Sequence, residues 1–213
     1  MRSQLLLIAK APVPGRVKTR LCPPCSPEQA ARVAAAALSD TVEVLTATPA
    51  ARRTIVLSGR YGTPPGWYAV PQRGNGLAER LVHAYLDTAR PDIGSVLVGM
   101  DTPQLTPSLL AELEAPDEYD AVLGPAVDGG WWGLALRDPA HAVALHGVPM
   151  STSDTAQWTV KALRERGLRV GLGPVLRDVD TAADAWTVAA LCTGGRFPAA
   201  VRFPAAVAEN VPR

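Results

Sequence analysis

The chain contains 213 residues, of which 47% are hydrophobic and 19% charged, and its formal net charge is +1 at pH 7. These values are ordinary for a globular domain with an apolar core. The sequence has no long basic run and no alternation of aromatic and basic residues that would support nucleic-acid binding. No apolar run approaches the roughly 18–20 residues that a membrane span requires. Since the three cysteines also suit a reducing compartment, we expect a cytoplasmic protein with no nucleic-acid partner and no membrane span.

Short apolar runs alternate with amphipathic segments along the chain, which is typical of a layered α/β fold. Strands are predicted at residues 5–9, 54–58, 67–70, 95–100, 121–125, 131–136 and 168–172. Helices are predicted from residue 27 to about 46, at 77–89, from 107, from 155 to a stop at 167, and at 182–191. The run 95–100 is the most apolar and predicts a central strand. The connection before 131–136 is too short for a helical crossover, which suggests an antiparallel strand there.

A basic segment follows the first predicted strand. Residues 9–21 read AKAPVPGRVKTRL and contain four basic side chains but no acidic one: Lys10, Arg16, Lys18 and Arg20. Loops at the carboxyl ends of strands hold phosphorylated ligands in α/β proteins. Lysine supplies point charges and arginine supplies forked donors, a mixture that suits a diphosphate or triphosphate. The segment therefore predicts a phosphate site, and the alternative is a solvated surface turn.

Aspartates follow the predicted central strand and precede the last predicted helix. Asp101 ends the apolar run, where a carboxylate buried without a partner would cost several kcal/mol. Binding of a hard divalent cation that also holds phosphates would compensate the charge of Asp101 and give it a role as a metal ligand. The alternative is that Asp101 only forms a turn or caps a helix. Asp178 and Asp180 flank Val179, so on an extended segment both side chains point the same way. Either could be a second metal ligand, and either could cap the last helix.

Two glycine-containing turns are expected at the same edge of the sheet. Asp128, Gly129 and Gly130 follow the fifth predicted strand, and glycine lets the backbone approach a ligand closely. A sugar or acceptor site and a plain hairpin turn are both open there. Gln72 and Gly74 precede the second predicted helix, where they could meet the edge of a nucleobase or only form a turn.

The end of the chain differs from the rest. The hexamer RFPAAV occurs twice in tandem, at 196–201 and 202–207. Two units are too few for a solenoid, so we expect one domain at 1–192 and a peripheral or partly disordered tail at 193–213. Self-association through this tail is an open alternative, and the oligomeric state is not predicted.

Several motifs occur in order between about residues 5 and 185: AKAPVPGRVKTRL, QRGNGLAERL, VLVGMDTPQL, AVLGPAVDGGWWGLALR, VPMSTSDT and DVDTAAD. This set resembles a bacterial family in the GT-A nucleotide-diphospho-sugar transferase superfamily, whose members are commonly labelled glycosyltransferases, some in connection with arsenosugar biosynthesis. More distantly, the chain is similar to phospholactate guanylyltransferase and the molybdenum-cofactor guanylyltransferases. The resemblance implies the GT-A fold, a three-layer α/β/α architecture with a mostly parallel sheet, and a nucleotide bound in the N-terminal half.

The resemblance also implies roles for individual residues. Asp101 would be the principal Mg²⁺ or Mn²⁺ ligand with Asp180 as the second, and the predicted catalytic residues are Lys18 and Asp101. The nucleotide and its phosphates would contact Lys10, Arg16, Lys18, Arg20, Gln72 and Gly74. The sugar or acceptor would lie near Asp128, Gly129 and Gly130.

The expected activity is metal-dependent transfer from a nucleotide-activated donor to an unidentified small-molecule acceptor, most simply glycosyl transfer from a nucleotide-diphospho-sugar. The alternative is nucleotidyl transfer, in which a phosphate or acidic acceptor attacks a nucleoside triphosphate and pyrophosphate leaves. Glycosyltransferases of this fold usually carry a DxD where this chain has Asp101-Thr102-Pro103, an arrangement closer to that of the nucleotidyltransferases. A non-catalytic nucleotide-binding module is a third hypothesis.

Overall fold

The computed structural model describes residues 3–114 and 118–203. Within these ranges seven strands form one sheet: β1 (Ser3–Lys10), β2 (Arg52–Ser58), β3 (Tyr68–Pro71), β4 (Gly94–Gly99), β5 (Ala121–Pro125), β6 (Trp131–Leu136) and β7 (Val170–Leu172). Their spatial order is β3-β2-β1-β4-β6-β5-β7, so the apolar β4 is central. Only β6 runs against its neighbours, and the other strands share one direction. The predicted mostly parallel sheet with an antiparallel sixth strand is confirmed.

Helices cover both faces of the sheet. They are α1 (Pro27–Ala47), α2 (Leu77–Leu86), α3 (Pro107–Leu113), α4 (Thr155–Glu165), α5 (Ala182–Leu191) and the short α6 (Phe197–Ala200). Two 3₁₀ turns, Thr19–Leu21 and Pro139–Leu145, were not predicted from the sequence. Helices α1 and α3 contribute to the apolar core on one face, and α2 and α4 contribute to the core on the other. This is the expected three-layer α/β/α architecture, and no helix in the described part of the chain has the length and apolar character to cross a membrane.

The first strand shows how the sequence builds both cores. Successive side chains of a strand point to opposite faces, and β1 is apolar at nearly every position. Leu5 and Leu7 are buried in the core that α1 and α3 cover, whereas Leu6 is buried in the core that α2 covers. A run of consecutive leucines is therefore what a strand covered on both faces needs.

The first helix begins where the sequence indicates. Ser26 accepts a hydrogen bond from the backbone N–H of Gln29, whose side chain in turn accepts from the N–H of Ser26, and Pro27 occupies the first helical position. This reciprocal cap satisfies two backbone donors that a helix start otherwise leaves unpaired. The cap thereby fixes the position of the chain just after the basic segment.

The first RFPAAV hexamer packs into a core cluster through Phe197 and Val201, which differs from the peripheral tail expected for this part of the chain. Phe197 is fully buried in a cluster with α1 and α5. The buried carboxylate of Asp40 accepts hydrogen bonds from the backbone N–H groups of Arg196 and Phe197, at 2.8 and 2.7 Å. Phe203 packs on Trp186 with ring centroids 5.5 Å apart. The rest of the second hexamer, 204–207, lies outside the described residues.

Replacing Phe197 with alanine is expected to lower the free energy of unfolding by about 3 kcal/mol, because it removes a fully buried aromatic ring and leaves a cavity. Urea denaturation measures the change. The Phe203→Ala variant is the control, since that ring lies nearer the surface and should cost less. Wild-type stability of the Phe197→Ala variant would contradict the placement of this hexamer in the core.

Candidate active site

Acidic side chains from separate parts of the chain meet at the carboxyl edge of the sheet. Asp101 follows β4, and the backbone N–H of Val179 donates to the carbonyl oxygen of Asp101 at 2.9 Å. This bond fixes the segment that carries Asp178 and Asp180 beside the end of β4. Asp128, after β5, lies close enough for its charge to act on Asp178. The structure therefore brings together the aspartates that the sequence analysis singled out.

Lys18 lies among these acids. Its ammonium is 2.6 Å from Asp101 Oδ1 and 3.8 Å from Asp180 Oδ1, and it donates a hydrogen bond to the carbonyl oxygen of Val179. Only 6% of the Lys18 side chain is exposed, against 43% for each of the two aspartates. The basic segment is therefore connected to the acidic cluster through Lys18.

The other basic residues of the segment are more exposed. Arg20 lies 3.3 Å from Asp180 Oδ2 with 75% of its side chain exposed. Lys10 and Arg16 are exposed and form no ion pair with any residue in the described ranges. The backbone N–H of Lys10 contacts the sulfur of Met100 at 3.3 Å, which holds the start of the segment against the end of β4. Lys10 and Arg16 are thus the cations of this segment that an anionic ligand can reach directly.

Asp178 carries the strongest electrostatic perturbation at the site. Its Oδ1 is shielded from solvent and has no hydrogen-bond partner among the described residues. Burial raises the pKa of Asp178 to about 7, and the negative charges of Asp101 and Asp128 add to the rise. The spacing in the sequence left Asp178 and Asp180 as equal candidates for a second metal ligand. The structure distinguishes them, because Asp178 Oδ1 is buried and the Asp180 side chain is 43% exposed.

The donor set fits a hard divalent cation, although no group of three or more acidic, histidine or cysteine side chains is preassembled as a metal site within residues 3–114 and 118–203. Carboxylate oxygens are the ligands that Mg²⁺ and Mn²⁺ prefer. Asp178 Oδ1 is a buried acceptor that lacks a partner among the described residues, and Asp101 and Asp180 both reach the ammonium of Lys18.

Gln72 and Gly74 form the turn that leads into α2. The amide nitrogen of Gln72 donates to the carbonyl oxygens of Ala9 and Val56, at 2.8 and 3.1 Å, and so links the ends of β1 and β2. Gly74 has φ +113°, and a Cβ there would lie 2.6 Å from the Cβ of Glu79. Gln72 therefore holds the turn beside the start of the basic segment, and its side-chain N–H groups are already used by the backbone.

The turn after β5 is held against the start of α4. The backbone N–H of Gly130 donates to Asp128 Oδ1 at 2.9 Å, and the N–H of Ala156 donates to the carbonyl oxygen of Gly129 at 2.9 Å. Gly129 has φ +88° and touches the backbone of Ser153 so closely that no side chain fits. Gly129 is thus required by packing, and Asp128 stays at the edge of the site.

The two tryptophans after this turn have partners in the core. Trp132 is buried and its indole N–H donates to the carbonyl oxygen of Pro174 at 2.9 Å. The indole N–H of Trp131 lies 3.2 Å from the hydroxyl of Thr159. Gly124 makes room for the Trp132 ring, since a Cβ there would lie 2.4 Å from it. Both indole N–H groups are therefore used within the fold.

A mostly apolar groove of about 740 Å³ begins at the same turn and runs between α4 and the strands β5 and β7. Its walls include Leu123, Ala126, Gly129, Ser153, Val160 and Leu172. Because Gly129 and Ser153 line the groove, it is continuous with the turn that holds Asp128.

Comparison with known proteins agrees with the fold and with nucleotide chemistry. A phosphoenolpyruvate guanylyltransferase of Streptomyces avermitilis is 33% identical to this chain over 175 residues, which are 80% of this chain and 76% of that protein. A solved structure from Desulfovibrio desulfuricans G20, described as a candidate nucleotide-diphospho-sugar transferase, superposes with a TM-score of 0.76 at 29% identity, covering 88% of this chain and 87% of that one. Rv0371c of Mycobacterium tuberculosis H37Rv, solved with manganese, shares the fold with a TM-score of 0.54 at 19% identity over 88% of this chain and 98% of its own.

These likenesses confirm that the protein is an enzyme, a transferase that uses a nucleotide, and they confirm the resemblance to the nucleotide-diphospho-sugar transferase and guanylyltransferase group. They give better support to nucleotidyl transfer than to the glycosyl transfer that the sequence analysis placed first. The family model described as "Uncharacterized protein conserved in bacteria (DUF2064)" matches residues 30–152, more than half of the chain. The chain therefore belongs to the DUF2064 family of bacterial proteins.

Proposed function

We propose that this protein is a metal-dependent nucleotidyltransferase. A phosphate or carboxylate oxygen of a small anionic acceptor attacks the α-phosphorus of a nucleoside triphosphate, the bond from that phosphorus to the bridging oxygen breaks, and pyrophosphate leaves. The observation that carries the proposal is the position of the basic segment beside the acidic cluster at one edge of the sheet. The guanylyltransferase relative supports GTP as the donor and phosphoenolpyruvate as the first acceptor to examine.

The phosphates fit the basic segment. Lys10 and Arg16 are exposed, and neither is neutralised by an acid in the described residues. Negative charge develops on the departing pyrophosphate as the bond to the α-phosphorus breaks. Fixed positive groups around the triphosphate stabilise that charge in the transition state. A segment with four cations suits a whole triphosphate better than it suits a diphosphate alone. The turn with Gln72 and Gly74, held against Ala9, is the proposed site of the base.

The proposed ligands of Mg²⁺ or Mn²⁺ are Asp101, Asp180 and Asp178, whose Oδ1 has no partner among the described residues. When bound, the ion would neutralise charge on the phosphates. The proposal also draws on Rv0371c, a protein of the same fold that was solved with manganese. Asp128, Gly129 and Gly130 are the proposed boundary of the acceptor site, and the groove that begins there offers space for the rest of the acceptor.

Glycosyl transfer from a nucleotide sugar is the second candidate. It is favoured by the description of the Desulfovibrio desulfuricans protein, which is 29% identical. The same edge of the sheet would serve, with a nucleoside diphosphate as the leaving group. The third hypothesis, a non-catalytic nucleotide-binding module, is set aside, because the guanylyltransferase relative is an enzyme and the acidic cluster and the basic segment are both present here.

The products of turnover separate these candidates. The protein is incubated with Mg²⁺ or Mn²⁺ and GTP plus phosphoenolpyruvate, then with the other nucleoside triphosphates and with nucleotide sugars in the presence of cell extract. We expect pyrophosphate in amounts equal to the acceptor consumed, and no release when the metal is chelated. Release of nucleoside diphosphate from a nucleotide sugar, without pyrophosphate from any triphosphate, would establish glycosyl transfer instead. Release of neither product under any of these conditions would contradict both candidates.

A further inference from the structure

Lys18 occupies the space between Asp101 and Asp180. The ammonium has three oxygen neighbours, Asp101 Oδ1 at 2.6 Å, Asp180 Oδ1 at 3.8 Å and the carbonyl oxygen of Val179. Its side chain is 6% exposed, so the contact is a packed one and not a surface ion pair. Val17, next to Lys18, and Leu21, three residues further along, are buried and hold the backbone of the segment in place.

The proposed roles of these residues cannot all be filled at once in this arrangement. A divalent ion that binds both Asp101 and Asp180 needs oxygens at about 2.1 Å. It would therefore take the space that the Lys18 ammonium fills, and the two positive charges would repel each other at such a distance. Lys18 can contact phosphate only when it is not paired with these carboxylates.

We infer that Lys18 is an internal counter-cation that closes the Asp101–Asp180 pair in the nucleotide-free protein and must leave before a metal ion can bridge the two carboxylates. The inference rests on the proposed function for the identity of the metal ligands. It makes Lys18 a positioning residue that keeps two like charges together when no ligand is bound. It also explains why the acids are gathered at one place although no metal site is preassembled in the described residues.

Departure of Lys18 couples metal binding to nucleotide binding. The phosphates of an incoming nucleotide offer the ammonium a second anionic partner, so the metal–nucleotide complex can displace it at little cost. A metal ion alone offers no such partner. Metal alone is therefore expected to bind weakly, and the nucleotide is expected to bring the ion into the site.

Arg20 provides a matched control because it also places a positive charge beside Asp180. Its guanidinium is 3.3 Å from Asp180 Oδ2, but 75% of the side chain is exposed and it makes no contact with Asp101. Replacing either residue with methionine removes one positive charge from the same acidic cluster. Only the replacement of Lys18 vacates the space between the two carboxylates.

The test is a titration of the nucleotide-free protein with MnCl₂, with free Mn²⁺ followed by electron paramagnetic resonance. We expect the Lys18→Met variant to bind Mn²⁺ about tenfold more tightly than wild type or better, which corresponds to about 1.4 kcal/mol. The Arg20→Met variant should stay within about threefold of wild type, since exposed charges are screened by solvent. Addition of Mn²⁺ should also raise the Tm of Lys18→Met more than that of wild type. Lys18→Gln, which keeps a polar side chain, replaces the methionine variant if that variant does not fold.

Three results would overturn the inference. They are equal Mn²⁺ affinity of wild type and the Lys18 variant, equal gains in the Lys18 and Arg20 variants, and a gain that survives Asp101→Asn in the Lys18→Met background. None of these measurements requires turnover. The inference can therefore fail in a protein that releases pyrophosphate, and failure of the proposed function leaves the Mn²⁺ titration interpretable.

Discussion

Replacing Asp101 with asparagine is expected to lower kcat for pyrophosphate release by about 10²–10³-fold, the range seen when one electrostatic stabiliser is removed from an active site. Asp101 lies at the end of the central strand, where it meets Lys18 and the segment that carries Asp178 and Asp180. Asparagine keeps the size of the side chain but removes the charge that holds the Lys18 ammonium in the nucleotide-free protein and that would hold the metal ion in its place. Because 43% of the Asp101 side chain is exposed, the fold should tolerate the change.

A second carboxylate provides the control for this experiment. Asp120 lies at the amino end of β5, at the opposite edge of the sheet, where it pairs with Arg169 at 2.9 Å. The Arg169 side chain and its backbone N–H hold the pKa of Asp120 well below its usual range, so Asp120→Asn also removes a paired negative charge. The control should keep wild-type kcat. Steady-state pyrophosphate release and the Tm of each variant are measured together, and an Asp101→Asn enzyme within about threefold of wild type would exclude Asp101 as the principal metal ligand.

The sheet and its order of elements could be predicted because their physical signal is local. Each buried strand is a short apolar run. The start of α1 is marked in the sequence by Ser26, which caps the helix, and by Pro27 at its first position. The predicted strands and helices differ from the observed ones mainly at their ends, because one or two hydrogen bonds determine the residue at which an element begins or ends. Helix α2, predicted to reach residue 89, ends at Leu86. The 3₁₀ turns and α6 were missed since they carry no periodic pattern of their own.

The site was predicted less completely because its decisive contacts are not local. The basic segment shows its charge in the sequence, but that Lys18 is paired with Asp101 depends on tertiary structure alone. The same holds for Gln72, whose amide nitrogen is occupied by the carbonyl oxygens of Ala9 and Val56. Spacing could not separate Asp178 from Asp180, and only burial of Asp178 Oδ1 does so. The packing of the first hexamer was not predicted for a similar reason, since its anchor is Asp40 in α1.

Replacing Gly129 with alanine is expected to disrupt both the fold and the candidate site. A Cβ on Gly129 would lie 1.8 Å from the carbonyl oxygen of Ser153 and 2.4 Å from its carbonyl carbon. Those are backbone atoms at the start of α4, so the clash can be relieved only by moving the helix or the turn. Either movement breaks the hydrogen bond from Ala156 to Gly129 and shifts Asp128. We expect the free energy of unfolding to fall by about 5 kcal/mol, which is exceptional for one methyl group.

Gly147 separates the clash from the backbone strain. Its φ of +81° is close to the +88° of Gly129, but a Cβ there would meet nothing within 4 Å. The free energy of unfolding of the Gly147→Ala variant should therefore fall by only about 1–2 kcal/mol, which is the cost of holding an alanine in the left-handed region. Urea denaturation measures the free energy of unfolding of both variants, and an unchanged m-value shows that the two unfold in the same way as wild type. Similar losses in the two variants would mean that the turn after β5 is not held against Ser153. A large difference accompanied by loss of pyrophosphate release would show that the contact with Ser153, and not the backbone conformation of glycine, keeps the proposed acceptor side of the site in place.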